Sequence, residues 1–230
     1  MKIKELHSWQ VSTTEAIAIQ QQLVSRVCRR NEVRNPRFIA GVDISSGRAR
    51  DTATAAVVVL QYPEMTVVDS SVIQTETNFP YVPGLLSFRE APLIIQAYEK
   101  LNIEPDLVLV DGQGIAHPRR MGLASHLGLL LDKPTIGCAK SLLIGAHEQL
   151  SDESKSYTDI TDEGEVIGAA VRTRSGVKPV YVSIGHRVDL PSAIHWVMAC
   201  CRNYRIPEPL RLAHQTAYGS LKSGKMLLKV

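Results

Sequence analysis

Three acids stand out among the 230 residues because each sits in company that does not suit a charge. Asp43 lies inside Phe38-Ile39-Ala40-Gly41-Val42-Asp43-Ile44, Asp111 closes the run Leu107-Val108-Leu109-Val110, and Glu90 is set among Leu85, Leu86, Phe88, Leu93 and Ile94. An ionised carboxylate in apolar surroundings is costly to desolvate, and a cation is the obvious compensation. Like charges held close raise one another's pKa unless that cation is present. Oxygen donors without cysteine or histidine select Mg²⁺, with Mn²⁺ as a substitute. Such a site suits phosphodiester hydrolysis, where one ion lowers the pKa of an attacking water and a second, about 4 Å away, stabilises the leaving oxygen. A phosphatase or phosphoryl transferase would use the same cluster, although no P-loop or kinase signature is present. For Glu90 the competing reading is an ordinary helical residue paired with a nearby arginine.

Two further residues belong with these acids. Lys140, just beyond Thr135-Ile136-Gly137-Cys138, projects from the same strand end as Asp111 and would hold a phosphate or orient a water; the alternative is a surface lysine. His214 shares a helix face with Leu210 and Ala217, the usual setting of a packed histidine. Gly112-Gln113-Gly114-Ile115-Ala116-His117 offers exposed backbone amides and little side-chain bulk, as a loop lining a flat ligand would, or simply a tight turn. Arg119 and Arg120 follow, placed for phosphates or for solvent.

Glu90 is delivered by the stretch Phe79-Pro80-Tyr81-Val82-Pro83-Gly84. Each proline fixes its own φ and pushes the residue before it towards extended geometry, so Tyr81 is presented on a stiff loop. Pro92 is awkward inside a helix, which places the regular part of the following helix close to it and Glu90 near its first turn.

The elements that must position these residues follow from periodicity. Ser12-Thr13-Thr14-Glu15 fits a capping box, and Ala16, Ile19, Leu23 and Val27 predict a helix from about 13 to 30. Strands are predicted over 38–44, 52–61 and 66–75, with a polar connection over 45–51; short links make them an antiparallel meander. A helix bearing Leu93, Ile94, Ala97, Tyr98 and Leu101, the strand 107–110, a helix over 121–131 and a strand over 135–138 then form parallel βαβ units. The acid-rich segment 147–165 reads as an exposed loop or hairpin arm, preferably a solvated connector. Strands at 166–172 and 179–184 precede two helices, the second opened by Pro209, and a basic tail with Lys222, Lys225 and Lys229 is expected to be disordered. A meander followed by a helix and a parallel strand sets the first and fourth strands side by side, making neighbours of Asp43 and Asp111 at the carboxyl ends where open α/β sheets bind ligands.

Composition sets the limits. A chain of this length fits one core, and 44% hydrophobic with 21% charged residues is ordinary for a soluble globular protein. The longest apolar runs are too short to span a bilayer, and the polar, acidic start argues against a secretory signal, so a cytoplasmic protein is expected. Cys28, Cys138, Cys200 and Cys201 show neither zinc-site nor disulfide-framework spacing, and no two of the seven histidines stand four apart. A net charge of +3 allows a polyanionic partner without requiring one.

Taken together, Gly41-Val42-Asp43, Pro80-Tyr81-Val82-Pro83-Gly84, Phe88-Arg89-Glu90, Val110-Asp111-Gly112-Gln113-Gly114, His117-Pro118-Arg119, Gly137-Cys138-Ala139-Lys140 and Arg205-Ile206-Pro207-Glu208-Pro209 resemble the endonuclease V family, in order over about residues 10–220. The resemblance implies one domain over 1–230 with a ribonuclease-H-like mixed sheet flanked by helices. It implies Asp43, Glu90 and Asp111 as metal ligands, Lys140 assisting catalysis and His214 near the metal, a position held by histidine or an acid in that family. The implied activity is cleavage at the second phosphodiester 3′ to deaminated adenine, leaving 3′-hydroxyl and 5′-phosphate ends, on inosine-containing DNA, with inosine in RNA and a non-cutting binding module as alternatives. Pro80, Tyr81, Val82 and Pro83 would form the wedge that fills the stacking vacancy, and Leu86, Arg89, Gly112, Gln113, Gly114, His117, Gly122, Gly137 and Ala139 the base pocket and nucleic-acid surface. Backbone amides there would donate to the O6 of hypoxanthine and offer nothing to the amine of adenine. A monomer is expected, with no membrane partner.

Overall fold

The computed structural model describes residues 3–46 and 52–223. Strands β1 (Phe38–Ser46), β2 (Thr52–Gln61) and β3 (Thr66–Glu76) form the expected antiparallel meander, with Val42 opposite Val57 and Val57 opposite Ser71. β4 (Leu107–Val110) pairs with β1 in parallel, Val42 beside Val110, and β5 (Thr135–Ala139) pairs with β4 in parallel, Val110 beside Gly137. β6 (Ala146–His147), β7 (Tyr157–Asp162), β8 (Glu165–Val171) and β9 (Val180–His186) extend the far edge antiparallel. The sheet order β3-β2-β1-β4-β5-β9-β8-β7-β6 is ribonuclease-H-like in its mixed half, with α1 (Thr13–Leu23), α2 (Leu86–Glu99), α3 (Leu123–Leu131), α4 (Leu190–Ala199) and α5 (Glu208–Ser223) around it.

Strand alternation sorts the central residues onto two cores. Ala40, Val42, Val108 and Val110 pack with Ala91, Ile94 and Tyr98 of α2 and Leu127 and Leu130 of α3. Ile39, Leu107, Leu109 and Ile136 face the other way, onto Ala193 and Val197 of α4 and Leu210 of α5. Gly41 and Asp43 share the parity of Ile39, and α5 lies against them. A Cβ on Gly41 would stand 2.0 Å from the carbonyl oxygen of Pro209, so only a residue without one lets the start of α5 lie this close to β1.

Four expectations need correction. The first helix stops at Leu23 and passes through one 3₁₀ turn, Val24–Arg26, instead of reaching residue 30. The backbone beyond it is engaged elsewhere: Cys28 N donates to His186 Nδ1 at 3.1 Å, and Arg187 N donates to Cys28 O at 2.7 Å. Second, α2 begins six residues before Pro92 and runs through it, losing one backbone bond to Phe88 O. Burial of Phe88, Ala91, Leu93 and Ile94 along that face offsets the loss. Third, the 147–165 segment is no mere connector, since β6 and β7 lie within 146–162 and Arg120 of the opposite loop pairs with Asp162 at 2.9 Å and Glu165 at 2.7 Å. Fourth, β1 continues through Ser45 and Ser46 where a connection was expected; residues 47–51 of that connection, with Lys225 and Lys229 of the tail, lie outside the described residues. Cys138 and Cys200 are buried, Cys28 and Cys201 half-buried, and all four are free thiols. No described helix is long and apolar enough to cross a membrane.

Gly41→Ala should force α5 away from β1 at an overpacking cost of about 1–3 kcal/mol. Thermal unfolding is expected at a temperature lower by about 2–4 °C for each kcal/mol, and an unchanged melting temperature would refute the close-packing role.

Candidate active site

The parallel pairing of β1 with β4 brings the two aspartates together. Val42 stands beside Val110, and the next backbone contact is Asp111 N donating to Val42 O at 3.0 Å, so Asp111, just past the end of β4, lies beside Asp43 within β1. Asp43 is 7% exposed and its carboxyl is raised to about 6, first by burial and then by the charge of Asp111, against the pull of Lys140 and His214. Glu90 lies on α2, four residues past its start, half-buried at its surface but densely surrounded. Burial, followed by the charges of Asp43 and Asp111, pushes it from the ordinary 4.5 to about 8 despite Arg89. The three acids therefore share one electrostatic field, although Asp43 and Glu90 stand 47 residues apart in the chain.

Two further side chains, Lys140 and His214, reach these acids. Lys140 Nζ donates to Asp111 Oδ2. Burial works against the ammonium, but the hydrogen bond and charge of Asp111, with the charge of Asp43, hold the lysine pKa above its usual range. Arg205 fixes the strand end that carries Lys140, its Nη2 donating to Lys140 O at 2.8 Å and Pro179 O at 2.6 Å. His214 Nδ1 meets Asp43 Oδ2 at 2.6 Å, and its ring stacks parallel to that of Tyr218 one turn on, at 6.2 Å. As the side chains stand, no three histidine, cysteine, aspartate or glutamate groups among the described residues converge to grip an ion, Asp111 being drawn to Lys140 and Asp43 to His214. The donor set nevertheless fits a hard divalent cation. All three acids offer oxygen alone, and their mutual repulsion in a buried setting is what such an ion relieves.

Beside the acids lies a small cleft of about 150 Å³, partly open to solvent. Of the expected pocket residues, Leu86, Gly112, Gln113, His117 and Gly122 line it. Gly114, Gly137 and Ala139 lie beneath: a Cβ on Gly137 would come within 2.5 Å of Gly114 N, and Ala139 is paired to Tyr181 in the sheet. Arg89 turns to the loop instead, donating from Nη1 to Phe79 O at 2.6 Å. Tyr81, Val82 and Pro83 form the rim, with Tyr81 73% exposed, and Pro80 is exposed beside them.

The stiffness of that rim has a source beyond its prolines. Gly84, at φ +78°, turns its carbonyl inward, where it accepts from Gln20 Nε2 at 3.0 Å, His117 Nε2 at 3.0 Å and Arg119 Nη2 at 2.7 Å. His117 is neutral in this role: burial and the charge of Arg119 push it down to about 4, and its Nδ1 accepts from Arg119 N at 3.1 Å. Arg119 Nε also donates to Gln20 Oε1 at 2.5 Å, closing the cluster. Arg119 and Arg120 are thus engaged within the protein. The readings above passed over Gln20, Ser87, Met121, Leu123 and Leu143 as lining residues. Gln20 carried a usable signal, because a glutamine between Ala16 and Leu23 on the buried row of α1 must find partners inside.

A family model described as endonuclease V matches residues 21–215. The chain belongs to the endonuclease V family. It is 54% identical over 209 residues to the endonuclease V of Roseiflexus sp. strain RS-1, covering 91% of this chain and 93% of that one. It is also 49% identical over 217 residues to that of Dehalococcoides mccartyi strain BAV1, covering 94% and 97%. Among solved structures, endonuclease V from Streptomyces avermitilis superposes with a TM-score of 0.90 at 40% identity, covering 97% and 99%. Endonuclease V of Ciona intestinalis, in complex with a 24mer DNA containing an inosine followed by a ribo-adenosine, superposes with a TM-score of 0.81 at 31% identity, covering 92% and 98%. Membership makes the chain a nuclease.

The raised carboxyls give a sign to the pH dependence of stability. A carboxyl raised by folding stabilises most below its unfolded pKa, and that contribution is lost as pH rises through about 6 for Asp43 and about 8 for Glu90. Without divalent ions, the melting temperature should therefore fall from about pH 4 to about pH 8, and Glu90→Gln should flatten that fall, most of all above about pH 6. Mg²⁺ should restore the wild-type value at pH 9. Parallel profiles for the two proteins would place Glu90 outside the field of the aspartates.

Proposed function

We propose that this endonuclease V hydrolyses the second phosphodiester 3′ to a deaminated adenine in DNA, leaving 3′-hydroxyl and 5′-phosphate ends, and that it needs Mg²⁺, with Mn²⁺ as a substitute. The observation that carries the reading is the adjacency of Asp43 and Asp111 where β4 ends beside β1, within the field of Glu90 and beside a cleft rimmed by an exposed tyrosine. Asp43, Asp111 and Glu90 would hold the ion, which when bound polarises the phosphate and lowers the pKa of an attacking water. Lys140 would bring a full positive charge to the scissile phosphate once its hold on Asp111 is exchanged, and its raised pKa keeps it protonated for that role. His214 would orient Asp43.

Gly112 and Gln113 line the cleft next to Asp111, and Leu86 and Ser87 line it one turn before Glu90. A base drawn into the cleft would therefore leave its own backbone close to the acids. At the start of α3, Gly122 N and Ala124 N already donate to Gly114 O and Gln113 O, which leaves the amide of Leu123, on the cleft wall, to donate to the O6 of hypoxanthine. Tyr81 would take the vacated place in the stack. We read the chain as a single cytoplasmic domain acting as a monomer. Inosine in RNA is the second reading, favoured by the ribo-adenosine in the oligonucleotide bound to the Ciona relative.

Cleavage of an inosine-bearing duplex in Mg²⁺ tests the proposal, with matched DNA and RNA strands compared directly. Asp111→Ala should slow cutting by at least about a hundredfold, more than losing a supporting residue around a metal typically does. An uncut wild-type substrate would point to a non-cutting binding module. Tyr81→Ala should weaken binding to a paired inosine by about 1–3 kcal/mol, the range of base–aromatic stacking, and affect an unpaired inosine less. Equal losses on both substrates would remove the wedge role.

A further inference from the structure

Behind the cleft, three side chains form a line from the surface of the N-terminal segment to the pocket wall. His7 Nδ1 lies 2.8 Å from Ser8 O, His7 Nε2 lies 2.7 Å from His126 Nε2, and His126 Nδ1 lies 3.1 Å from Ser87 Oγ. His126 is wholly buried and Ser87 is 2% exposed, yet Ser87 lines the cleft. Trp9 and Phe88 enclose the two imidazoles, Trp9 at 4.6 Å from His7 and Phe88 at 5.3 Å from His126, so neither ring has room to turn.

The direction of every proton in this line follows from its outer end. A carbonyl oxygen can only accept, so His7 carries its proton on Nδ1 and, being neutral, has a bare Nε2. His126 must then donate from Nε2, which leaves its Nδ1 bare. Among the described residues, the group that meets that nitrogen with a proton is the Ser87 hydroxyl, which therefore donates inward. Both rings are neutral for the same physical reason: burial lowers His7, and burial with the nearby His7 pushes His126 down to about 3. A serine hydroxyl has one proton, and with it committed the oxygen keeps only lone pairs for a ligand.

We propose that Ser87 is a specificity-determining residue that reads the Watson–Crick edge of the extruded base as a fixed acceptor, its polarity set by the His7–His126 line. This rests on the proposed activity towards deaminated adenine. Hypoxanthine carries a hydrogen on N1 and can donate to such an oxygen; adenine has a bare N1, so two sets of lone pairs would face one another across a dry gap. Discrimination of this kind is strong because the wrong base leaves buried polar groups unpaired. Gln113, also on the pocket wall, donates its Nε2 to Ser141 O at 3.0 Å, and its buried Oε1 meets no hydrogen-bond partner among the described residues, a second acceptor in the same wall. His7 and His126 are positioning residues, acting only through Ser87.

The test compares cutting of matched duplexes carrying deoxyinosine or purine deoxyriboside, whose N1 is bare, by the full chain in Mg²⁺. Wild type should favour deoxyinosine, and Ser87→Ala should narrow that ratio by about tenfold, the usual effect of one lost hydrogen bond. Ser87→Thr, which keeps the hydroxyl, should restore it, a rescue that a packing role for the hydroxyl would not require. His7→Ala frees the line to reverse and should narrow the ratio in part, giving a second route if Ser87→Ala melts too early to assay. A wild type without preference for deoxyinosine overturns the activity on which this rests, and the assignment with it. A preserved preference with the same ratio in Ser87→Ala and His7→Ala overturns the role of Ser87 alone.

Discussion

Everything chemical in this protein depends on one unfavourable interaction, the crowding of carboxylates where β4 ends beside β1. Asp43 and Asp111 are neighbours because β1 and β4 pair in register, and backbone hydrogen bonds do not yield to repulsion between the side chains they carry. Glu90 adds a third acid from the opposite layer. The surrounding structure answers with hydrogen-bond partners from two directions, the Lys140 ammonium from the end of β5 and the His214 ring from α5. A parallel pair buried on both faces is rigid enough to hold such a cluster, as an exposed loop would not be.

The positions of these acids were readable from the chain because each violated the pattern around it. Asp43 interrupts an apolar strand and Asp111 ends one, and the order of strands and helices was enough to make them adjacent. The meander, the two parallel strands and the face shared by Ile39, Gly41 and Asp43 followed from periodicity alone. What escaped was set by contacts between distant segments. The end of α1 is decided by His186 and Arg187, and the passage of α2 through Pro92 by burial on either side of it, neither of which leaves a local trace. The 146–162 arm looked like a connector because its strands are exposed and polar, and its anchor, Arg120, lies some forty residues earlier.

The cleft illustrates the same division. Its glycines were visible as a motif, but their labour is split: Gly112 and Gly122 line the space, while Gly114 and Gly137 let one loop lie flat on the sheet below it. Polar residues with buried side chains, Gln20, Ser87 and His126, mattered more than the sequence suggested. Each had to find a partner inside, and those partners tie the N-terminal segment and α1 to the rim of the cleft.

The Gly84 carbonyl, gripped from three sides, has a mechanical implication. A tip anchored in this way stores little slack, so this loop has little conformational give to spend on prising a duplex apart. On the proposed activity, the work of opening must come mainly from the weakness of the helix at the site itself. Such a protein would sample a genome by waiting at each step for spontaneous breathing, and poorly matched positions would be captured first simply because they gape more often.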